Sequence, residues 1–271
     1  MIDLDAYFSR IGYRGPRTPT LDTLRAIHEL HPAAIPFEAI DVLLDRSIDL
    51  SPQAIDAKLI ARKRGGYCYE QNSLFKRALE ALGFEVEGLI ARVRWMAPDD
   101  APPRPRTHMV LRVRLDGVEW LADVGFGGLV LTAPLSFNTA ESQSTPHEKF
   151  RLLPLPHGHR VEAQLDQKWE PLYEVSNEPQ LPIDYQLANW FSSKYPASHF
   201  RHDLNVARTT SEVRYTLLNN RFTARPKQGE VDRRALTARE LHEVLVSVFH
   251  LPVSDEWQPV IENAARRGTS N

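Results

Sequence analysis

At 271 residues, 42% apolar and 25% charged, the chain carries enough apolar material for two packed cores and a smaller third unit, which argues against disorder. Its 33 basic and 35 acidic residues nearly cancel to a net charge of −2, so there is no field for a polyanion and nucleic acid is disfavoured as a partner. A single cysteine, Cys68, excludes an intrachain disulfide framework and suits a reducing compartment. The first residues, from Met1 to Tyr7, lack the basic start and long apolar core of a signal peptide, and no apolar run approaches the roughly 18 residues of a membrane span. The chain therefore reads as soluble and cytoplasmic, with no membrane partner.

Residues 1–85 read as helical. Leu21, Leu24, Ile27 and Leu30 give one apolar stripe after a start rich in threonine and proline, and Ser51-Pro52 combines an N-cap with proline at the first helical position. Between them Ile35-Pro36-Phe37-Glu38 is an extended break, in which Phe37 is either a core aromatic or a pocket wall. Arg62, Lys63 and Arg64 read as a solvated basic cluster at a helix end, where the dipole favours cations.

Next comes Arg64-Gly65-Gly66-Tyr67-Cys68-Tyr69-Glu70-Gln71-Asn72. Beyond the cysteine, Leu74, Phe75, Ala78, Leu79 and Leu82 recur at three- and four-residue spacing and predict a helix ending near Gly83. Cys68 then lies in the first turn, where unpaired N–H groups and the helix dipole favour a thiolate. Gly65 and Gly66 allow a close approach to the sulfur. A lone cysteine is also commonly a small buried core residue, and this stretch alone does not separate the two.

From 86 to 190 the pattern changes to strands: Val86–Trp95, then a hairpin, then Phe150–Leu155, Arg160–Leu165 and Trp169–Val175. In the hairpin, Asp116-Gly117 signals a two-residue turn, which pairs Leu115 with Val118. Met109, Leu111, Val113 and Leu115 then share an apolar face with Val118, Trp120, Ala122 and Val124. On the other face Asp123 falls opposite Val110 and diagonal to His108, close enough for a carboxylate to reach an imidazole. Such a pair can be structural. Beside an activated cysteine it becomes a Cys-His-Asp triad: Cys68 attacks, His108 moves the proton, and Asp123 fixes the imidazole. The proline-rich stretch Pro98–Pro105 reads as a rim of the mouth of this site. Gly125-Phe126-Gly127-Gly128 is too short and wrongly placed for a dinucleotide fingerprint, and reads as backbone running close to the site with Phe126 lining it.

Residues 191–271 read as a smaller mixed unit. Val213–Leu218 and Arg221–Arg225 flank Asn219-Asn220 as a hairpin, and Thr237-Ala238-Arg239-Glu240 is a capping box opening a helix. The tail after Pro252 reads as polar and frayed.

The motif at 64–72, the strand from His108, and Asp123-Val124-Gly125-Phe126-Gly127-Gly128 resemble the arylamine N-acetyltransferases. Pro36-Phe37-Glu38 and Asn189–Phe200 add to the likeness, which runs in the family's order from about residue 5 to 255. The chain departs from it at Tyr69, where the family more often has phenylalanine, and at Lys194-Tyr195, where Thr-His is commoner. The resemblance implies an α+β fold: an N-terminal helical bundle (1–85), a central antiparallel β-barrel-like sheet (86–190) and a C-terminal mixed α/β lid (191–271), around a cysteine-protease-like Cys-His-Asp core. It also implies acetyl-CoA as acyl donor, no metal, and small aromatic amines or hydrazines as acceptors against Phe37, Phe126 and Phe200. Two other readings use the same triad: an amide synthase of the same family acting in biosynthesis, and a cysteine peptidase or transglutaminase-like acyl transferase.

Overall fold

The architecture follows from a computed structural model that describes residues 2–98 and 100–267. The N-terminal third is helical, as its apolar stripes require. Helix α1 (Leu4–Ile11), which sequence reasoning passed over, is capped by the Asp3 carboxylate accepting from the Ala6 amide and is closed by Gly12 in the left-handed region. Helix α2 (Leu21–Ala34) buries Leu24, Ile27, His28 and His31 on one side. A two-residue strand β1 (Phe37–Glu38) and a short helix α3 (Ile40–Leu43) follow. Ser51 caps α4 (Pro52–Ile55), which runs on into a π-helical stretch, Asp56–Ala61. Helix α5 (Cys68–Ala81) starts at the cysteine itself and buries Leu74, Phe75, Ala78 and Leu79.

Eight antiparallel strands come next: β2 (Glu85–Val93), β3 (Arg106–Leu115), β4 (Val118–Ala122), β5 (Leu135–Ser136), β6 (Gln143–Ser144), β7 (Lys149–Leu155), β8 (Gly158–Leu165) and β9 (Lys168–Ser176). Their order is β5-β4-β3-β2-β9-β8-β7-β6, and the sheet curls until β5 meets β7, which makes it nearly a closed barrel. The β3–β4 ladder runs from Leu115–Val118 to Leu111–Ala122, the register set by the Asp116-Gly117 turn. Both turn residues have positive φ, 50° and 77°, as a type I′ turn demands. The apolar face of this hairpin packs on α5: Met109, Leu111, Val113, Ala122 and Val124 are buried in the same cluster as Leu74, Phe75 and Leu79. A β-bulge occurs on the other side of β3, in its pairing with β2, and leaves the hairpin register intact.

Helix α6 (Pro182–Lys194) lies where the sequence pattern read as the end of the strand region. Its buried side mixes Tyr185 and Ala188 with Asn189, Ser192 and Ser193, while Ile183, Leu187 and Trp190 are more than 60% exposed, so no clean inward apolar stripe announces it. A second sheet, β1-β10-β11-β12-β13, follows from β10 (Asn205–Thr209), β11 (Val213–Leu218), β12 (Arg221–Pro226) and β13 (Asp232–Ala235). The expected hairpin at Asn219-Asn220 pairs Leu218 with Arg221. Helix α7 (Ala238–Ser247) opens on the expected capping box, with the Glu240 carboxylate accepting from the Thr237 amide at 2.8 Å. From Pro252 to Arg267 the tail is not frayed, and residues 268–271 lie outside the described residues: Trp257, Ile261 and Ala264 are buried, and helix α8 (Gln258–Arg267) packs into the second core with Leu241, Leu245 and Phe249. Three apolar residues among many polar ones suffice, because they share one helical face.

Gly117 has no neighbour that an added Cβ would meet, but its φ of 77° disfavours a side chain. Replacing Gly117 by valine costs about 1–2 kcal/mol of stability, read as a lower urea midpoint, and leaves activity unchanged.

Candidate active site

Cys68 is the first residue of α5 and is buried. Three constraints place it there. Tyr67, with extended φ/ψ of −98° and −170°, ends the incoming loop, and the Glu70 carboxylate, one turn into the helix, accepts from the Tyr67 amide at 3.1 Å. Gly65 passes so close to Pro36 that a Cβ would lie 2.1 Å from its carbonyl oxygen. The Gln71 amide nitrogen then ties Gly66 O (3.1 Å) to Pro36 O (2.9 Å), holding the loop against β1.

An ion chain braces the same loop from beneath. Arg64 meets Glu38 at 2.8 Å and Asp41 at 3.3 Å, and Lys58 meets Asp41 at 2.8 Å and Glu70 at 2.7 Å. Burial works against the Lys58 ammonium, yet Glu70, Glu38 and Asp41 raise its pKa. The basic cluster expected to be solvated is therefore divided. Arg64 is buried beneath the ring of Trp257, 4.5 Å from its centroid, because Glu38 and Asp41 supply the charge that lets it leave water. Arg62 and Lys63 stay exposed.

His108 and Asp123 meet as a buried pair, Nε2 to Oδ2 at 2.7 Å. The ladder between their strands stops at Leu111–Ala122, so Asp123 does not pair with Val110; it leaves the sheet with its carboxylate turned to the imidazole. The other oxygen, Oδ1, accepts from Asn72 Nδ2 (3.0 Å) and from the Gly125 amide (2.9 Å). Burial opposes the charge, but His108 and these donors hold Asp123 below its usual carboxylate value. For His108, burial would push the imidazole down, while Asp123 and then Cys68, as hydrogen-bond and charge partners, outweigh it and push it up to about 10. With Nε2 committed to Asp123, Nδ1 is left for the sulfur. The sulfur also lies 3.8 Å from Thr107 O, which the Tyr69 hydroxyl reaches at 2.7 Å.

Asn72 is the member of this hydrogen-bonded cluster that sequence reasoning missed, although it ends the quoted motif. Four residues past Cys68, it lies on the same face of α5. One NH₂ group serves both Met109 O (2.8 Å) and Asp123, and its oxygen accepts from the Val124 amide at 3.1 Å. A single side chain thus joins the cysteine-bearing helix to the strand of His108 and the loop of Asp123. Gly125 completes the fit, since a Cβ there would stand 2.7 Å from Cys68 Cα.

The three aromatics fall into two groups. Phe37 and Phe200 face each other at 6.1 Å, and Phe200 also edges Tyr67. Phe126 instead packs edge-on to His108 at 5.1 Å, beside Tyr173, which is 4.9 Å from the same imidazole. A Cβ added at Gly127, whose φ is 86°, would stand 3.5 Å from the Phe37 ring, and one at Gly128 would stand 2.9 Å from the Thr216 methyl on β11. The register of the second sheet aligns Phe37, Ala207, Thr216, Thr223 and Arg233 in one row, so a track of small residues ends at a cation. The stretch from Pro98 to Pro105, of which Asp99 lies outside the described residues, leads directly into Arg106-Thr107-His108. No cluster of three metal-ligating side chains occurs among the described residues, and no described helix is long and apolar enough to cross a membrane.

A helix-borne thiol facing a strand-borne imidazole held by a buried carboxylate is the arrangement of cysteine-centred acyl-transfer enzymes. The N-acetyltransferase family model matches residues 20–258. The arylamine N-acetyltransferases of Mycolicibacterium smegmatis and of Escherichia coli K12 are each 41% identical to the chain, over 94% and 93% of its length and 94% and 90% of theirs. The Mycobacterium marinum arylamine N-acetyltransferase solved in complex with CoA superimposes with a TM-score of 0.92 at 37% identity, over 98% of this chain and 99% of that one. The chain belongs to the arylamine N-acetyltransferase family.

The two shifted groups have opposite pH signatures. His108 is raised from 6.5 to about 10, so its contribution to stability is whole below 6.5 and is lost as pH rises through about 10. Asp123 is lowered from 3.8, so its contribution is present above 3.8 and is lost as pH falls. Urea unfolding from neutral pH to about pH 10 is expected to show a steeper loss of stability in the wild type than in Asp123→Asn. Equal slopes would contradict the pairing.

Proposed function

We propose that the chain is an acetyl-CoA-dependent arylamine N-acetyltransferase working by a two-step exchange through Cys68. The observation that carries this reading is the 2.7 Å His108–Asp123 pair beside a helix-N-terminal cysteine. The sulfur stands at the N-terminus of α5 beside His108, whose imidazole is pushed up to about 10, against burial, by Asp123 and Cys68.

Cys68 attacks the thioester carbonyl carbon of acetyl-CoA. The carbon–sulfur bond to coenzyme A breaks, and the departing thiolate takes the proton from His108. An aromatic amine or hydrazine then attacks the acetyl-cysteine; the now neutral His108 takes its proton, and the Cys68 thiolate leaves. First-turn N–H groups that α5 leaves without carbonyl partners are the donors available to the oxyanion. One thioester is exchanged for another, so the protein's task is chiefly to position groups and exclude water. The Phe37–Phe200 pair and Phe126 offer flat apolar surface to an aryl acceptor. Arg233, at the end of its row, engages no ion pair among the described residues and offers charge to an anionic donor such as coenzyme A. A reducing cytoplasm keeps the single thiol available.

The kinetics test this. Initial rates with acetyl-CoA and aniline varied together are expected to give parallel double-reciprocal lines, and Cys68→Ala to lose at least about a thousandfold in kcat. Intersecting lines, or an active Cys68→Ala, would overturn the acetyl-cysteine route. Turnover of peptides or glutaminyl amides with none of acetyl-CoA would favour the peptidase or transglutaminase-like reading.

A further inference from the structure

Helix α2 carries two fully buried histidines one turn apart that the proposed chemistry does not use. His31 is saturated: Nδ1 meets the Tyr7 hydroxyl at 2.8 Å and Nε2 meets Gln71 Oε1 at 2.7 Å. His28 is not. Its Nδ1 is buried without a hydrogen-bond partner, and its ring meets Phe75 edge-on at 5.6 Å. A buried imidazole with an orphaned nitrogen is a poor choice for stability alone. The one hydrogen bond it makes is to the backbone amide of Asp123, which donates to His28 Nε2 at 3.1 Å.

That amide has left the sheet. The β3–β4 ladder ends at Ala122, and the next N–H, belonging to Asp123, is buried where water cannot satisfy it. We infer that His28 is a positioning residue for the Asp123–His108 pair: by accepting the Asp123 amide it fixes the backbone from which the carboxylate is aimed at the imidazole. Asp123 is then held at three points. Its amide is pinned by α2, its Oδ1 by Asn72 of α5 and the Gly125 amide, and its Oδ2 by His108. The role requires an unprotonated Nε2. Burial lowers His28 to about 4, against the charge of Asp123, so the acceptor persists across the neutral range.

This inference rests on the acetyl-transfer reading for its effect on rate, but its effect on His108 can be read without any substrate. In the full chain labelled with ¹⁵N-histidine, His28 is expected to be the Nδ1–H tautomer near neutral pH. An Nε2–H tautomer would overturn the proposal, whether or not any variant folds. In His28→Leu the His108 titration, at about 10 in the wild type, is expected to fall by about one pH unit or more, and single-turnover acetylation of Cys68 by acetyl-CoA to slow about tenfold. His28→Gln, whose amide oxygen can accept the same N–H, is expected to recover most of both. A folded His28→Leu with an unmoved His108 titration would show a merely structural residue and sink the idea. If the wild type takes no acetyl group while the His108 titration still responds to His28→Leu, the acetyl-transfer reading fails and the positioning role stands.

Discussion

One buried negative charge organises this molecule. Asp123 is wholly inside, where an isolated carboxylate would take up a proton rather than stay charged. It stays charged because separate parts of the chain bring it partners. Helix α5 contributes Asn72, strand β3 contributes His108, the loop after β4 contributes the Gly125 amide, and α2 accepts its backbone N–H. None of these is a neighbour of the others in sequence. The helical third and the barrel must therefore meet in one register for the carboxylate to be satisfied, and that register also places the sulfur beside the imidazole.

The bracing of the cysteine follows the same economy. The Cys68 sulfur lies 3.8 Å from Thr107 O, and the firmer restraint falls on the backbone before it. Gly65 touches Pro36 because it has no side chain, Gln71 ties three carbonyls together, and the Glu38–Arg64–Asp41–Lys58–Glu70 chain ends on the Tyr67 amide. Trp257, just before α8, stacks on Arg64 and couples the second core to this loop. Rigid backbone ahead of Cys68 thus fixes where α5 presents the sulfur.

What the sequence disclosed, and what it hid, divides by the range of the interaction. The Asp116-Gly117 turn is a local signal, and with it came the β3–β4 register and the apolar face that packs on α5. The helix beginning at Cys68 and the capping box at Thr237 are local in the same way. Asn72 and His28 were not legible, because an asparagine and a histidine acquire their roles only from what lies across the interior, 51 and 95 residues away. Helix α6 shows no apolar stripe because its inner face is mixed: Tyr185 and Ala188 are buried beside Asn189, which Tyr67 bonds, and Ser192, near the Tyr69 hydroxyl. The buried Arg64 was misread for a similar reason, since its basic neighbours suggested water while Glu38 and Asp41 lie 26 and 23 positions earlier.

The central claim is that the acyl group passes through the Cys68 sulfur. It is tested most directly by intact-protein mass after mixing with acetyl-CoA in the absence of any amine. The account expects the wild type to gain the mass of one acetyl group, Cys68→Ala to gain none, and the adduct to be discharged when aniline is added. A wild type that takes up no acetyl group, or a Cys68→Ala chain that takes up as much, would contradict it.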